Sequence, residues 1–233
     1  MTGPVQEQID HYWDLRARTY HAHQQRSDRE QVDQRLWGGI WAEVLPEPPA
    51  DVLDLGTGSG HAAFVMAGLG HRVTGLDAST EMLRVAKERA RSAKGAVPTF
   101  VHGDAVAPDL AEGGFDAVTS RYLMWTLRDP VAALRRWRRL LRPRGVLALV
   151  DATWFEEGLA GSPEEFIDSY EGLLGDLPLA TAESIAATED VVRAAGYREV
   201  RTRPLHEVLE TDLRLGAAPG HRPRLQHLVT ARP

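Results

Sequence analysis

Residues 52–64 read VLDLGTGSGHAAF, and this stretch decides the fold. Residues 52–55 form an apolar run of strand length, and residues 61–69 can form a helix. Between them stand Gly56, Gly58 and Gly60. Glycines here let the chain turn sharply and let a ligand approach without Cβ clashes. The helix that follows aims its free N–H groups at whatever lies over the loop. The spacing is G-x-G-x-G, with His61 next, whereas a dinucleotide fingerprint needs G-x-G-x-x-G. A phosphate-gripping loop needs Gly-Lys-Ser/Thr, which is absent.

Three carboxylates sharpen the reading. Asp54 ends the first strand, two residues before Gly56. Asp77 ends a second strand, residues 72–76, within GLDAS, where a carboxylate can accept from both hydroxyls of a ribose. Asp104, in HGDA, ends a third strand over residues 97–102, where it can accept from an adenine amino group. One nucleoside is then read by three consecutive strand ends, with no lysine placed to hold phosphates.

Outward from this stretch, strands alternate with helices. Thr80–Ser92 is helical, with Met82, Val85 and Ala86 on one face, Ser79 as its N-cap and Gly95 as its stop. Strands follow at 115–119 and 145–150, with a helix at 130–141 between them. This alternation implies a parallel sheet covered on both faces, and the unbroken apolar run VLALV suits a strand buried on both sides. Farther on, residues 189–195 read as a helix stopped by Gly196, and residues 197–204 and 225–230 as two last strands. Before residue 50, Ile9, Tyr12, Trp13, Arg16 and Tyr20 follow helical spacing, as do Val32, Leu36, Trp37, Ile40, Trp41 and Val44. The expected division is 1–48 as N-terminal helices forming a lid, 49–233 as the core domain, and 151–188 as a substrate-side insertion.

Composition narrows the function. With 43% hydrophobic and 26% charged residues in 233, the chain is an ordinary globular one. It has no cysteine, so disulfide scaffolds, thiolate metal sites and cysteine nucleophiles are excluded. A net charge of -6 argues against a general nucleic-acid binder. The longest apolar stretch, 62–70, falls far short of the roughly 18 residues that span a bilayer. MTGPVQEQID lacks a basic and then apolar leader, so a cytoplasmic location is expected. The run RRWRRLLRPR reads as a solvated helix face.

Together with FDAVTSRYLMWTLRDP (115–130) and LRPRGVLALVD (141–151), these motifs resemble the class I S-adenosylmethionine-dependent methyltransferases. The likeness is greatest to the small-molecule branch similar to the ubiquinone/menaquinone-biosynthesis methyltransferases, and it covers about residues 50–151. The resemblance implies an α/β, Rossmann-like fold: a seven-stranded, mostly parallel sheet of order 3-2-1-4-5-7-6 with strand 7 antiparallel. It implies S-adenosyl-L-methionine cradled by Gly56, Gly58 and Gly60, with Asp54 orienting the amino end. Asp77 would bind the ribose, Ala78 and Met82 would flank the adenine, and Asp104 and Ala105 would read its edge. Arg121 falls where the family's backbone meets the methionyl amine. YWDLRARTY (12–20) resembles a segment that closes over the cofactor, which makes Tyr12, Arg16 and Tyr20 lid candidates.

Two departures stand out. LRPRG replaces the LRPGG of many relatives, placing Arg144 in a turn. SRYL stands where amino-methylating nucleic-acid enzymes carry an Asn/Asp-Pro-Pro-aromatic motif, so that chemistry is not expected. Tyr122, Trp125, Trp154 and Phe155 are candidates to wall an acceptor pocket. His11, near the lid, and Asp151, at the end of the fifth strand, are the candidate acid–base residues. No metal site is expected. The expectation is methyl transfer to an oxygen or nitrogen of a small molecule by a monomer or homodimer. The alternative is a non-catalytic cofactor-binding partner or sensor; an NAD-dependent oxidoreductase is disfavoured by the loop spacing.

Overall fold

The computed structural model describes residues 4–155, 158–159, 164–170, 172–218 and 222–233. Two helices come first, α1 (Pro4–Gln24) and α2 (Glu30–Val44). Then follow β1 (Asp51–Leu55), α3 (His61–Gly68), β2 (Arg72–Asp77), α4 (Thr80–Ser92), β3 (Thr99–His102) and β4 (Phe115–Arg121). The chain continues through α5 (Pro130–Leu140), β5 (Leu141–Asp151), α6 (Glu164–Tyr170), α7 (Ala186–Ala194), β6 (Arg198–Leu205), α8 (His206–Leu215) and β7 (Gln226–Arg232).

The strands form one seven-stranded sheet of order β3-β2-β1-β4-β5-β7-β6. β1 to β5 run parallel, and β7 lies antiparallel between β5 and β6. The expected order and the expected direction of strand 7 are both met.

The period of two along each strand divides the core. Val52 of β1 and Val146, Ala148 and Val150 of β5 face one way, into a core with α2, α3 and α8. Leu53, Leu55, Leu147 and Leu149 face the other way, onto α5 and α7. Both faces are apolar because both are covered. Trp137 anchors the second layer, fully buried, its indole N–H donating to the Ala105 carbonyl at 2.7 Å. On the exposed side of α5 stand Arg135, Arg136, Arg138 and Arg139.

Local signals set several boundaries. Ser79 Oγ accepts the Met82 N–H at 3.1 Å and starts α4. Asp129 does the same for α5 through Ala132, at 2.9 Å, with Pro130 in the first turn. Such caps are each worth about 1 kcal/mol. Other boundaries differ from expectation. β3 begins at Thr99, and Asp104 lies two residues beyond its end. β5 begins at Leu141, with a register shift against β4 between Phe115 and Ala117, so Arg144 lies exposed in an irregular strand rather than a turn. α7 starts at Ala186, and α8 was not anticipated. Among the described residues, no helix is long and apolar enough to cross a membrane.

Candidate cofactor cleft

The carboxyl ends of β1, β2 and β4 open into a cleft, and α1 lies across it as a roof. Gly56, Gly58 and Gly60 have φ of +66°, +55° and +81°. Gly60 shows why a side chain is excluded. A Cβ there would meet Phe100 Cζ at 2.8 Å, on a backbone already in the left-handed region.

Asp77 holds the loop from the neighbouring strand. Its Oδ2 accepts the Gly58 N–H at 2.7 Å, and its Oδ1 accepts the Ser79 N–H at 2.9 Å. Burial pushes its pKa up to about 6 in spite of those bonds. Asp54 is buried beneath the loop. It accepts from Thr57 Oγ1 at 2.7 Å and Thr119 Oγ1 at 3.0 Å, and burial raises its pKa to about 6 as well. Asp104 Oδ1 accepts the Val106 N–H at 2.8 Å, while Oδ2 pairs with Arg128 at 2.5 Å. Ala78, Met82 and Ala105 supply apolar wall.

The roof is fastened by apolar packing of Ala17 on Met82 and Val85 of α4, by Gln24 Oε1, which accepts from Ser59 Oγ at 2.8 Å, and by Asp14. Asp14 Oδ1 accepts from Ser79 Oγ at 2.5 Å and from the Glu81 N–H at 3.1 Å. It therefore also meets the positive end of α4. Ile9 and Trp13 cover the cleft from the same helix.

The charge set tests which group fits. Among the described lining residues, Asp10, Asp54, Asp77 and Asp104 stand against one cation, Arg121, with Arg128 paired to Asp104. This excess of carboxylates would repel a pyrophosphate. It suits a nucleoside that carries a positive sulfonium. Residues 53–149 match the family described as a methyltransferase domain. The chain is also 31% identical over 167 residues to 2-phytyl-1,4-naphtoquinone methyltransferase of Synechococcus elongatus, across 69% of this chain and 70% of that one. It belongs to the S-adenosylmethionine-dependent methyltransferases.

This methyltransferase is 34% identical over 188 residues to nocamycin O-methyltransferase of Saccharothrix syringae. That match spans 72% of the chain and 65% of the relative, just under two thirds of its length. Among solved structures, the fold resembles phosphoethanolamine N-methyltransferase 2 of Haemonchus contortus in complex with phosphomonomethylethanolamine and S-adenosylhomocysteine. The TM-score is 0.72 at 20% identity, over 99% of this chain and 60% of that one.

Of the residues singled out in the methyltransferase sequence, eleven line the cleft: Tyr20, Asp54, Gly56, Gly58, Asp77, Ala78, Met82, Asp104, Ala105, Arg121 and Tyr122. Gly60 lies behind the loop against Phe100. Tyr12 turns away from the cleft into an aromatic cluster with Trp125, Phe155, Phe166 and Tyr170. The rings fill one another's space: Trp125 and Phe155 lie 5.0 Å apart, and Phe166 stacks on Tyr170 at 4.5 Å. Arg16 lies over the Tyr12 ring at 5.4 Å. His11 is exposed on α1 and is not among the lining residues. Asp151 is buried, with the indole N–H of Trp154 and the Ala152 N–H donating to its Oδ1. Burial raises its pKa to about 7.

A second cavity adjoins the cleft, and the two share Tyr20, Gln24, Arg121 and Tyr122 as walls. Trp154 lines it. Tyr122 stands between the two with a left-handed backbone, φ +64°, an uncommon conformation for an aromatic residue. Its hydroxyl donates to Gln226 Oε1 at 2.5 Å, and Gln226 Nε2 donates to Asp212 Oδ2 at 3.2 Å. Arg29 bridges Asp33, at 2.8 Å, and Asp212, at 2.5 Å. Sequence reading missed this network. Its members come from the start of α2, from α8, from β7 and from Tyr122 just after β4, and no local spacing marks them as a set.

Proposed function

We propose that this methyltransferase moves a methyl group from S-adenosyl-L-methionine to an oxygen or nitrogen of a small-molecule acceptor. The observation that carries the reading is the acidic glycine cleft, where the described lining residues set Asp54, Asp77 and Asp104, at or just past the ends of β1, β2 and β3, and Asp10 of α1 against the guanidinium of Arg121. The printed activities of the nocamycin and naphthoquinone relatives support a small acceptor, and the former supports oxygen.

When bound, the cofactor supplies a methyl on a positive sulfur: the acceptor's lone pair takes that carbon, and the carbon–sulfur electron pair returns to sulfur. The chain's own residues would bind and orient. Asp77 would accept from the ribose hydroxyls with the lone pairs its two backbone bonds leave. Ala78 and Met82 would hold the adenine faces, and Asp104 and Ala105 its edge. Asp54 keeps the loop in place through Thr57, and the backbone at Arg121 would face the amino-acid end. Ile9 and Trp13 line the cleft and would exclude water, which favours a reaction that disperses or neutralises charge. Alignment of acceptor, methyl and sulfur carries most of the catalysis.

Isothermal calorimetry with S-adenosylhomocysteine tests the cleft, and an isotope-labelled methyl donor with a metabolite library tests the transfer. Folded protein that gives no heat at high micromolar concentration overturns the reading. Binding without turnover across the library would favour the non-catalytic alternative.

A further inference from the structure

Resting on the reading that the cleft takes S-adenosylmethionine, we propose that Asp10 of α1 accepts one of the two N–H bonds of the adenine amino group, so that the roof reads the base. The first support is placement. Gln6, Ile9, Asp10 and Trp13 line the cleft at spacings of three and four, which is one face of a helix. The register of that face is set from α4. Asp14, one turn past Asp10, takes Ser79 and Glu81, and Ala17 packs in one cluster with Met82 and Val85. Met82 lines the cleft too, and it is the residue that would hold an adenine face. Asp10 therefore enters the cleft from a helix packed beside the place of the base.

The second support is electrostatic. Burial raises the Asp10 carboxyl above its usual range, the Gln6 amide lowers it in part, and Asp104 raises it further. Asp104 acts on Asp10 more strongly than Asp14 does, although Asp14 is one turn away on the same helix. Asp10 in turn helps to raise Asp77. A carboxylate that feels Asp104 first sits at the base end of the site, with the ribose end farther off. Two carboxylates that face one another across a cleft each disfavour the other's charge. A donor group between them relieves both. The adenine amino group is such a donor, with two N–H bonds that diverge in one plane: Asp104 would take one, and Asp10 the other.

The third support is how each carboxyl is held. Asp104 accepts the Val106 N–H and pairs with Arg128, so its charge is offset from within the chain. Asp10 Oδ1 accepts from Gln6 Nε2 at 2.6 Å. That neutral amide fixes the carboxyl without cancelling its charge. A carboxylate offers about four lone-pair sites, so Asp10 keeps capacity for a further donor. Gln6 is thus a positioning residue, and Asp10 makes the contact.

Calorimetry with S-adenosylhomocysteine and its N6-methyl analogue tests this. The methyl replaces one N–H of the amino group, so one of the two carboxylates loses its donor. The parent should bind the analogue at least tenfold more weakly than S-adenosylhomocysteine. Asp10→Ala should lose about tenfold for S-adenosylhomocysteine, the range of one hydrogen bond to a charged acceptor. It should bind the two ligands within threefold of one another, because the methyl then takes the vacated side. Asp14→Ala loosens the roof without touching the base, so it should weaken both ligands by one factor and keep the parent's preference. A parent preference below tenfold, an unchanged Kd for S-adenosylhomocysteine in folded Asp10→Ala, or a preference above threefold in that variant would each overturn the proposal and leave the cofactor reading intact. If Asp10→Ala does not fold, Asp10→Ser, whose hydroxyl is too short to reach, carries the same expectations. A folded parent that binds neither ligand would remove the cofactor reading, and this proposal with it.

Discussion

Asp77 Oδ2 accepts the backbone N–H of Gly58 at 2.7 Å, so the end of β2 fixes the shape of the loop after β1. That carboxylate holds the loop, and under the proposed function it has a second task, accepting from the ribose hydroxyls. Asp77→Ala should lose both. Two lost hydrogen bonds to a charged acceptor, each worth on the order of 1–3 kcal/mol, predict at least a thirtyfold rise in the Kd for S-adenosylhomocysteine. Calorimetry on the two proteins reads this directly, and an unchanged Kd would remove Asp77 from the site.

The same carboxyl predicts a pH dependence. Burial raises Asp77 to about 6, and only the ionised form can accept from both hydroxyls. Affinity for S-adenosylhomocysteine should be flat above pH 7 and should weaken as pH falls through 6. Asp77→Asn should bind more weakly at pH 7.5 and lose most of this slope. A slope equal in both proteins would place the titrating group elsewhere.

Asp151 bears on stability. Its folded pKa is about 7, against the ordinary 3.8. Between those values the folded chain keeps a proton that the unfolded chain releases, so stability falls as pH rises from about 4 to about 7. The full effect is at most about 4 kcal/mol, from roughly three pH units at 1.36 kcal/mol each. Asp151→Asn keeps the acceptor for Trp154 and removes the charge. Its melting temperature relative to the parent should therefore climb across that window. Parallel curves would show that Asp151 does not titrate there.

Gly60→Ala combines a strained backbone with a collision. The residue has φ +81°, and its new Cβ would meet Phe100 at 2.8 Å. A loss of about 1–3 kcal/mol is expected in urea unfolding. Adding Phe100→Leu should relieve the collision but not the strain, so the pair should be less than additive.

The sheet was largely legible from sequence because buried parallel strands read as unbroken apolar runs and the loop glycines punctuate them. The cleft was legible for a related reason: its residues sit at strand ends, which the pattern locates one by one. α8 escaped because it buries Val208 beside Thr211 and Asp212 while Leu213 is exposed, so no apolar stripe marks it. The second cavity escaped because Arg29, Asp33, Asp212 and Gln226 meet only through the fold. Trp125 and Phe155 were read as candidate walls of an acceptor pocket; in the fold they pack on Tyr12, Phe166 and Tyr170, because large rings gain most by burying one another.

The roof has a kinetic corollary. α1 is tied to α4 by Ala17 against Met82 and Val85 and, at the start of α4, by one oxygen of Asp14, which takes both the Ser79 hydroxyl and the Glu81 amide. Asp14 is not among the described lining residues of the cleft, yet its loss is expected to loosen the helix over a bound donor and shorten the residence of the spent one.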